Sequence, residues 1–352
     1  MRRRLVGAAL LFALWICATS NPRGASAPGV ASAGASTPSF DDAVKAAGEL
    51  PRIHSLLVSW RGDLILERYF NGRRASSQAN IKSAAKSVIS ALVGIAIDRG
   101  HINGVSQPIG AYFPDLLARS DDPRRRITVE DLLTMRSGLE STSNRNYGAW
   151  VQSGNWVRHV LARPLQTDPG TRMQYSTGNT HLLSAILTKA VGKSTWQFAQ
   201  EALARPLGFP LAQWTRDPQG IYFGGNEMVM TPRQMLAFGE LYLNQGRVKG
   251  VQVVKAKWIE DSFIPRGRSG FSEQLYGYGW WIRPMAGHQA YYAWGFGGQF
   301  IFLVPDLQLV IVSTSSDSVG DERRGHRRTV DDIIEHLIVE PMTATATAAA
   351  RS

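Results

Sequence analysis

Two stretches of alternating apolar residues stand near opposite ends of the folded part of this chain, with helical periodicity between them, and that order limits the architectures open to it. From Ile53 the alternation runs through Leu56, Val58 and Trp60, turns at Arg61-Gly62-Asp63, and resumes with Leu64, Leu66 and Tyr69, which reads as a hairpin. Toward the other end, residues 277–282, 290–294, 299–304 and 309–314 read as strands, with Pro305-Asp306 as a turn. Between them, residues 83–99, 128–135, 156–161, 180–190, 195–204 and 232–242 carry helical periodicity, and a further helix is expected over 328–338. Strands, then helices, then strands predict an α+β fold, in which both chain ends build one antiparallel sheet flanked by helices and a helical lobe is inserted. The expected division is a sheet domain from residues 40–103 and 247–340, an inserted helical domain from 104–246, and an Ala/Thr tail from 341–352. No internal repeat with a period of about 20 to 50 residues is found.

The N-terminal segment follows different rules. Arg2, Arg3 and Arg4 precede an apolar run over residues 5–18, which at about 14 residues is shorter than the roughly 20 needed to span a bilayer. A cationic flank, a short apolar stretch and small residues after it form the pattern of a secretory signal peptide, with cleavage expected after Ala18-Thr19-Ser20 or Ala31-Ser32-Ala33. Residues 1–33 are therefore read as signal peptide and start of a linker, and 34–39 as linker; export to the periplasm or medium is expected, with no stable membrane span after cleavage. Cys17, the only cysteine, lies in this segment. The mature chain would have no disulfide and no thiol chemistry. The net charge of +11 falls to about +7 without Arg2, Arg3, Arg4 and Arg23. The cationic runs Arg124-Arg125-Arg126 and Arg323-Arg324 with Arg327-Arg328 lack interleaved aromatics, so they read as solvated loop charge rather than a nucleic-acid surface.

The strongest chemical signal is Ser83-Ala84-Ala85-Lys86 at the start of an apolar helix, with Val88, Leu92, Ile95 and Ala96 on one face. Three residues make nearly one helical turn, so hydroxyl and amine can share a face. An amine that loses its charge in a dry pocket can accept the serine proton, and backbone N–H groups at the helix start can hold an oxyanion. Other site types are missing from the sequence. The histidines at 54, 101, 159, 181, 288, 326 and 336 show no metal spacing, and neither a Gly-x-Ser-x-Gly elbow nor a phosphate or dinucleotide loop occurs. No cofactor or metal is implied. The expected partner is a small-molecule substrate, and no oligomeric state is indicated.

Further blocks follow the Ser-x-x-Lys motif in order: residues 127–139 (Ile-Thr-Val-Glu-Asp-Leu-Leu-Thr-Met-Arg-Ser-Gly-Leu), Pro169-Gly170 through Tyr175-Ser176-Thr177-Gly178-Asn179, Thr231-Pro232-Arg233-Gln234-Met235, and Gly295-Phe296-Gly297-Gly298-Gln299. Together they resemble serine β-lactamases, penicillin-binding proteins and their esterase and amidase relatives, over nearly all of residues 45–315. The resemblance implies the β-lactamase/transpeptidase-like fold and an acyl-enzyme mechanism. Ser83 would be the nucleophile, Lys86 and Tyr175 would handle the proton, and the backbone N–H groups of Ser83 and Phe296 would form the oxyanion hole. Which of Lys86 and Tyr175 is the base stays open at this point.

Two departures narrow the expected substrate. The family's Tyr-x-Asn pattern is replaced by Tyr175-Ser176-Thr177, with Asn179 two places late. Its Lys-Thr-Gly strand motif gives way to Trp294-Gly295-Phe296-Gly297-Gly298, which removes the lysine that helps hold substrate carboxylates. This form looks most like the branch containing 6-aminohexanoate-dimer hydrolase and esterases with the class C β-lactamase fold. Tyr147, Trp150, Trp156, Trp294 and Gly295 are the candidate substrate-binding residues. His181, just after the tyrosine block, is a candidate for a supporting role. The expected function is an exported hydrolase of small esters or amides. Two alternatives are a D-Ala-D-Ala carboxypeptidase or weak β-lactamase using an arginine such as Arg283 for the carboxylate, and a silent binding protein of the same fold.

Overall fold

The computed structural model describes residues 38–320 and 324–351. The expected signal peptide, Cys17 and nearly all of the linker lie outside the described residues, as does Arg323. In chain order the strands are β1 (Ile53–Trp60), β2 (Asp63–Tyr69), β3 (Ala79–Asn80), β4 (Val229–Met230), β5 (Arg247–Val248), β6 (Val251–Gln252), β7 (Gly267–Arg268), β8 (Leu275–Tyr276), β9 (Trp281–Met285), β10 (His288–Gly295), β11 (Gln299–Val304) and β12 (Leu309–Ser315). The helices are α1 (Asp41–Gly48), α2 (Ala85–Asp98), α3 (Val129–Leu133), α4 (Tyr147–Val151), α5 (Trp156–Leu161), α6 (Thr177–Val191), α7 (Thr195–Ala199), α8 (Pro232–Leu243), α9 (Ala256–Ser262), α10 (His326–Ile334) and α11 (Glu340–Arg351).

The hairpin forms where the alternation predicts it. Arg61 and Gly62 both have positive φ (54° and 87°), the conformation of a two-residue turn whose twist matches its strands. β1 then pairs with β12, and the antiparallel sheet runs β2-β1-β12-β11-β10-β9-β8-β7, so both chain ends do build one sheet. β7, at the sheet edge, and its neighbour β8 have two residues each, too few to leave a periodic signal.

Side-chain alternation divides this sheet between two cores. Leu56, Val58, Phe300, Phe302, Leu309 and Ile311 face one cluster with α1 and α10, while Leu57, Ile301, Leu303, Val310 and Val312 face the other, with α2 and α8. β11 and β12 are buried along their whole length, as central strands covered on both faces must be. α8 starts from a capping box of Thr231 and Gln234 with Pro232 in its first turn, and packs on β12, β11 and β1. Past the sheet, Glu340–Arg351 forms α11.

α2 departs from the one-faced helix that its spacing predicted. Every residue from Ala85 to Ala96 is buried, because the helix lies between β10 and α6 and has no solvent side. Its contact with α9 depends on Gly94, where an added Cβ would come within 2.4 Å of the Trp258 indole. Alanine is the better helix former by about 1 kcal/mol, whereas overpacking costs about 1–3 kcal/mol. Gly94→Ala should therefore lower the thermal unfolding midpoint; a midpoint at or above wild type would disprove this close packing.

Candidate active site

The chain enters α2 through a tight 3₁₀ turn, Lys82–Ala84, that carries Ser83. Lys82 adopts a positive φ of 50°, and its N–H donates to Asn80 Oδ1 at 3.0 Å. One turn on, Lys86 Nζ lies 3.0 Å from Ser83 Oγ and donates to the Gly225 carbonyl at 2.8 Å. Only 2% of Lys86 is exposed. Burial lowers its ammonium pKa from 10.5 to about 7, with no charged group among the causes. Lys82, four residues earlier, shows the opposite state. Burial disfavours its charge too, but Asp317 and Glu227, 3.0 and 3.2 Å away, hold the ammonium above its ordinary value. One lysine stays a cation through two carboxylates; the other is poised as an amine because it has none.

Tyr175 ends the loop before α6, and its ring centroid is 5.1 Å from Lys86 Nζ. Burial raises its phenol pKa, and a hydrogen bond with Ser83 works the other way. The ring is fixed by stacking on Trp281 at 5.7 Å and by an edge contact with Tyr276 at 6.4 Å. Ser83, Lys86 and Tyr175 are thus brought together. Neither residue in the altered Tyr-x-Asn region is hydrogen-bonded to the amine: Thr177 Oγ1 pairs with Ser143 Oγ at 3.0 Å, and Asn179 Oδ1 accepts from Ser137 Oγ at 3.0 Å. The Gly225 carbonyl is the amine's other partner. Its glycine is required by space, since a Cβ there would sit 2.3 Å from Thr180 Oγ1 and 3.1 Å from Lys86 Nζ. Sequence reading missed this loop, although the Gly224-Gly225 pair is a signal for close backbone approach.

The end of β10 lies against the turn that carries Ser83. A Cβ on Gly295 would fall 2.1 Å from the Ile81 carbonyl, so Gly295 serves close packing rather than an open substrate surface. The next residue, Phe296, is part of the turn to β11, where Gly297 and Gly298 have φ of 89° and 102°. Trp294 is half-buried, its ring 6.3 Å from that of Trp281, with the Arg327 guanidinium 4.1 Å over it, and Trp294 and Arg327 border a cavity of about 140 Å³ with Phe296, Gly297 and His326. Tyr147 receives a 2.6 Å hydrogen bond from Asn226 Nδ2, beside the Gly225 carbonyl.

Trp150 and Trp156 must be corrected from pocket residues to core residues. Trp150 is fully buried and Trp156 is buried with it; their indole N–H groups donate to the carbonyls of Trp156 and Val151, and both rings pack around His181 and Phe223. Their size serves a helical core, which a sequence cannot tell from a pocket wall. Arg283 is also excluded as a carboxylate anchor, because it pairs with Asp331 at 3.2 Å and Glu335 at 2.8 Å and ties β9 to α10. Two clefts, of about 400 and 320 Å³, open beside Tyr175. Arg172, Met173 and Arg268 border the first, Ser143, Asn144 and Arg145 the second, and Phe271, 92% exposed, borders both. Phe271 left no sequence signal, since nothing in a Gly/Ser-rich loop says where its one aromatic will point. Trp150→Phe should lower the unfolding midpoint while leaving the ratio of kcat/KM for short and long acyl esters unchanged; an altered ratio would return Trp150 to the substrate pocket.

Comparison with known proteins identifies the family and the fold. The Beta-lactamase family model matches residues 40–335. A 6-aminohexanoate-dimer hydrolase from Paenarthrobacter ureafaciens is 27% identical over 301 residues, covering 76% of this chain and 73% of that protein. Among solved structures, a putative 6-aminohexanoate-dimer hydrolase from Bacillus anthracis superposes with a TM-score of 0.65 at 22% identity, covering 81% of this chain and 79% of its own. A family VIII carboxylesterase does so with a TM-score of 0.64 at 17% identity, covering 84% and 96%. These two structures share the fold, and the family match spans most of the chain: the protein belongs to the Beta-lactamase family of serine hydrolases.

Proposed function

We propose that this protein is an exported hydrolase that cleaves ester or amide bonds of small substrates through an acyl-enzyme on Ser83. The observation that carries this reading is the buried Lys86 amine, without a carboxylate partner, 3.0 Å from the Ser83 hydroxyl. Support for the bond type comes from the 6-aminohexanoate-dimer hydrolase and carboxylesterase relatives. Support for export comes from the N-terminal sequence pattern alone.

The protonation states divide the roles. An amine with a pKa of about 7 is substantially unprotonated at neutral pH, while a phenol raised above its usual value stays protonated, so Lys86 is the base and Tyr175 the relay. Lys86 takes the Ser83 proton as Oγ bonds to the substrate carbonyl carbon, and the negative oxygen is held by the N–H groups of Ser83 and Phe296. As the bond to the leaving group breaks, Tyr175 gives that group a proton and regains one from Lys86. Water then attacks the acyl carbon and surrenders its proton by the same route, releasing the acid and restoring Ser83.

Hydrolysis of a short p-nitrophenyl ester by the purified protein tests this reading. The Ser83→Ala variant should lose all activity above background, and wild-type kcat/KM should rise with pH along a limb centred near 7, where Lys86 sheds its proton. No descending limb from Tyr175 is expected below about pH 10. Equal rates for wild type and Ser83→Ala would end the proposal.

A further inference from the structure

Behind the Gly225 carbonyl lies a buried pair that the mechanism above does not use. His181, on α6, and Asp217 are both buried, with Nε2 and Oδ2 3.0 Å apart. The other ring nitrogen, Nδ1, receives the Gly224 N–H at 3.5 Å, and Gly224 is covalently joined to the residue whose carbonyl holds Lys86. An acceptor at Nδ1 places the ring proton on Nε2, which donates to Asp217. Trp150, Trp156 and Phe223 enclose the imidazole, so the aromatics first read as pocket residues wall in this pair.

We propose that His181 and Asp217 form a positioning unit that fixes the Gly224-Gly225 segment, so that the Gly225 carbonyl holds the Lys86 amine against Ser83. The inference rests on the reading of Lys86 as base. Three features carry it. The segment has no side chains of its own to anchor it and lies so close to Thr180 that a Cβ on Gly224 would be 2.0 Å from that residue's carbonyl. No side-chain acceptor replaces the Gly225 carbonyl on the amine, the Thr177 hydroxyl and the Asn179 Oδ1 being bonded elsewhere. The orientation of Asp217 is fixed as well, because its Oδ1 accepts from the N–H groups of Gln219 and Ile221, both at 2.9 Å. Around the amine stand Ser83, Tyr175 and the Gly225 carbonyl; around the imidazole, Asp217 is the charged neighbour.

This geometry makes opposite predictions for near-isosteric changes. In Asp217→Asn the amide oxygen must stay on the Gln219 and Ile221 N–H groups, leaving the NH₂ toward Nε2. The ring proton then moves to Nδ1, where it meets the Gly224 N–H, donor against donor. His181→Asn keeps an acceptor near the Nδ1 position, whereas His181→Leu has nearly the same shape and none. A packing role within the aromatic cage would favour leucine; a positioning role favours asparagine.

The test is steady-state hydrolysis of a p-nitrophenyl ester by these three variants, together with Ser83 labelling by a fluorophosphonate and thermal melting. His181→Leu and Asp217→Asn should lose kcat on the order of 10²-fold with KM unchanged, the scale expected when a reacting group is misplaced by about 1 Å. His181→Asn should retain most of the wild-type kcat. If His181→Leu does not melt cooperatively, Asp217→Asn decides. Wild-type kcat in Asp217→Asn, or leucine equal to or better than asparagine, overturns the inference while the hydrolase reading stands. A wild type that neither turns over ester nor labels at Ser83 overturns both.

Discussion

The Lys86 amine sits 3.0 Å from the Ser83 hydroxyl where solvent hardly reaches it, and much of the surrounding structure serves that contact. A lysine buried without a carboxylate partner is costly as a cation, and the chain accommodates it by shifting its proton equilibrium toward neutral pH. Lys82 shows what the same side chain does when Asp317 and Glu227 are in reach: it keeps its charge and fastens the turn that carries Ser83 to two loops. The difference between an anchor and a prospective base is decided by which acids fold alongside, not by residue type.

Bringing backbone close to that amine requires segments without side chains. The Gly225 carbonyl contacts Lys86 Nζ directly, Gly279 receives the Ser87 hydroxyl on its carbonyl at 2.6 Å, and Gly295 lies flush against Ile81. These three glycines come from the loop before β4, the loop between β8 and β9, and the end of β10. α2 can be surrounded in this way because it is buried on all sides between sheet and helices, which makes the first turn of a core helix the floor of the site. A nucleophile on an amphipathic surface helix would have one dry side at most, and its lysine would remain solvated.

The aromatic residues divide along the same boundary. Trp281 and Tyr276 steady Tyr175 from the sheet side, whereas Trp150, Trp156 and Phe223 enclose His181 in the helical layer. Arg283 joins β9 to α10 through two acidic partners, so its charge belongs to the fold. The family's strand lysine is replaced by the Trp294 segment as well, so the arginines beside Tyr175 are those bordering its clefts, Arg172, Arg268 and Arg145.

Local sequence was enough to locate the hairpin at Arg61-Gly62, the α8 start at Thr231-Pro232, the buried strands at 299–304 and 309–314, and the pairing of Ser83 with Lys86, because each depends on turn chemistry, capping or periodicity within a few residues. The ordered family motifs added Tyr175, which spacing alone could not connect to a serine 92 positions earlier. Contacts between distant segments lay beyond that reach. The Gly225 carbonyl on Lys86, the His181–Asp217 pair, the placement of Trp150 and Trp156 in the core, and the exposure of Phe271 all arise where loops and helices far apart in the chain meet. A residue's own sequence neighbours set its backbone and its periodicity; only the packed fold sets its solvent, its charged neighbours and hence its proton.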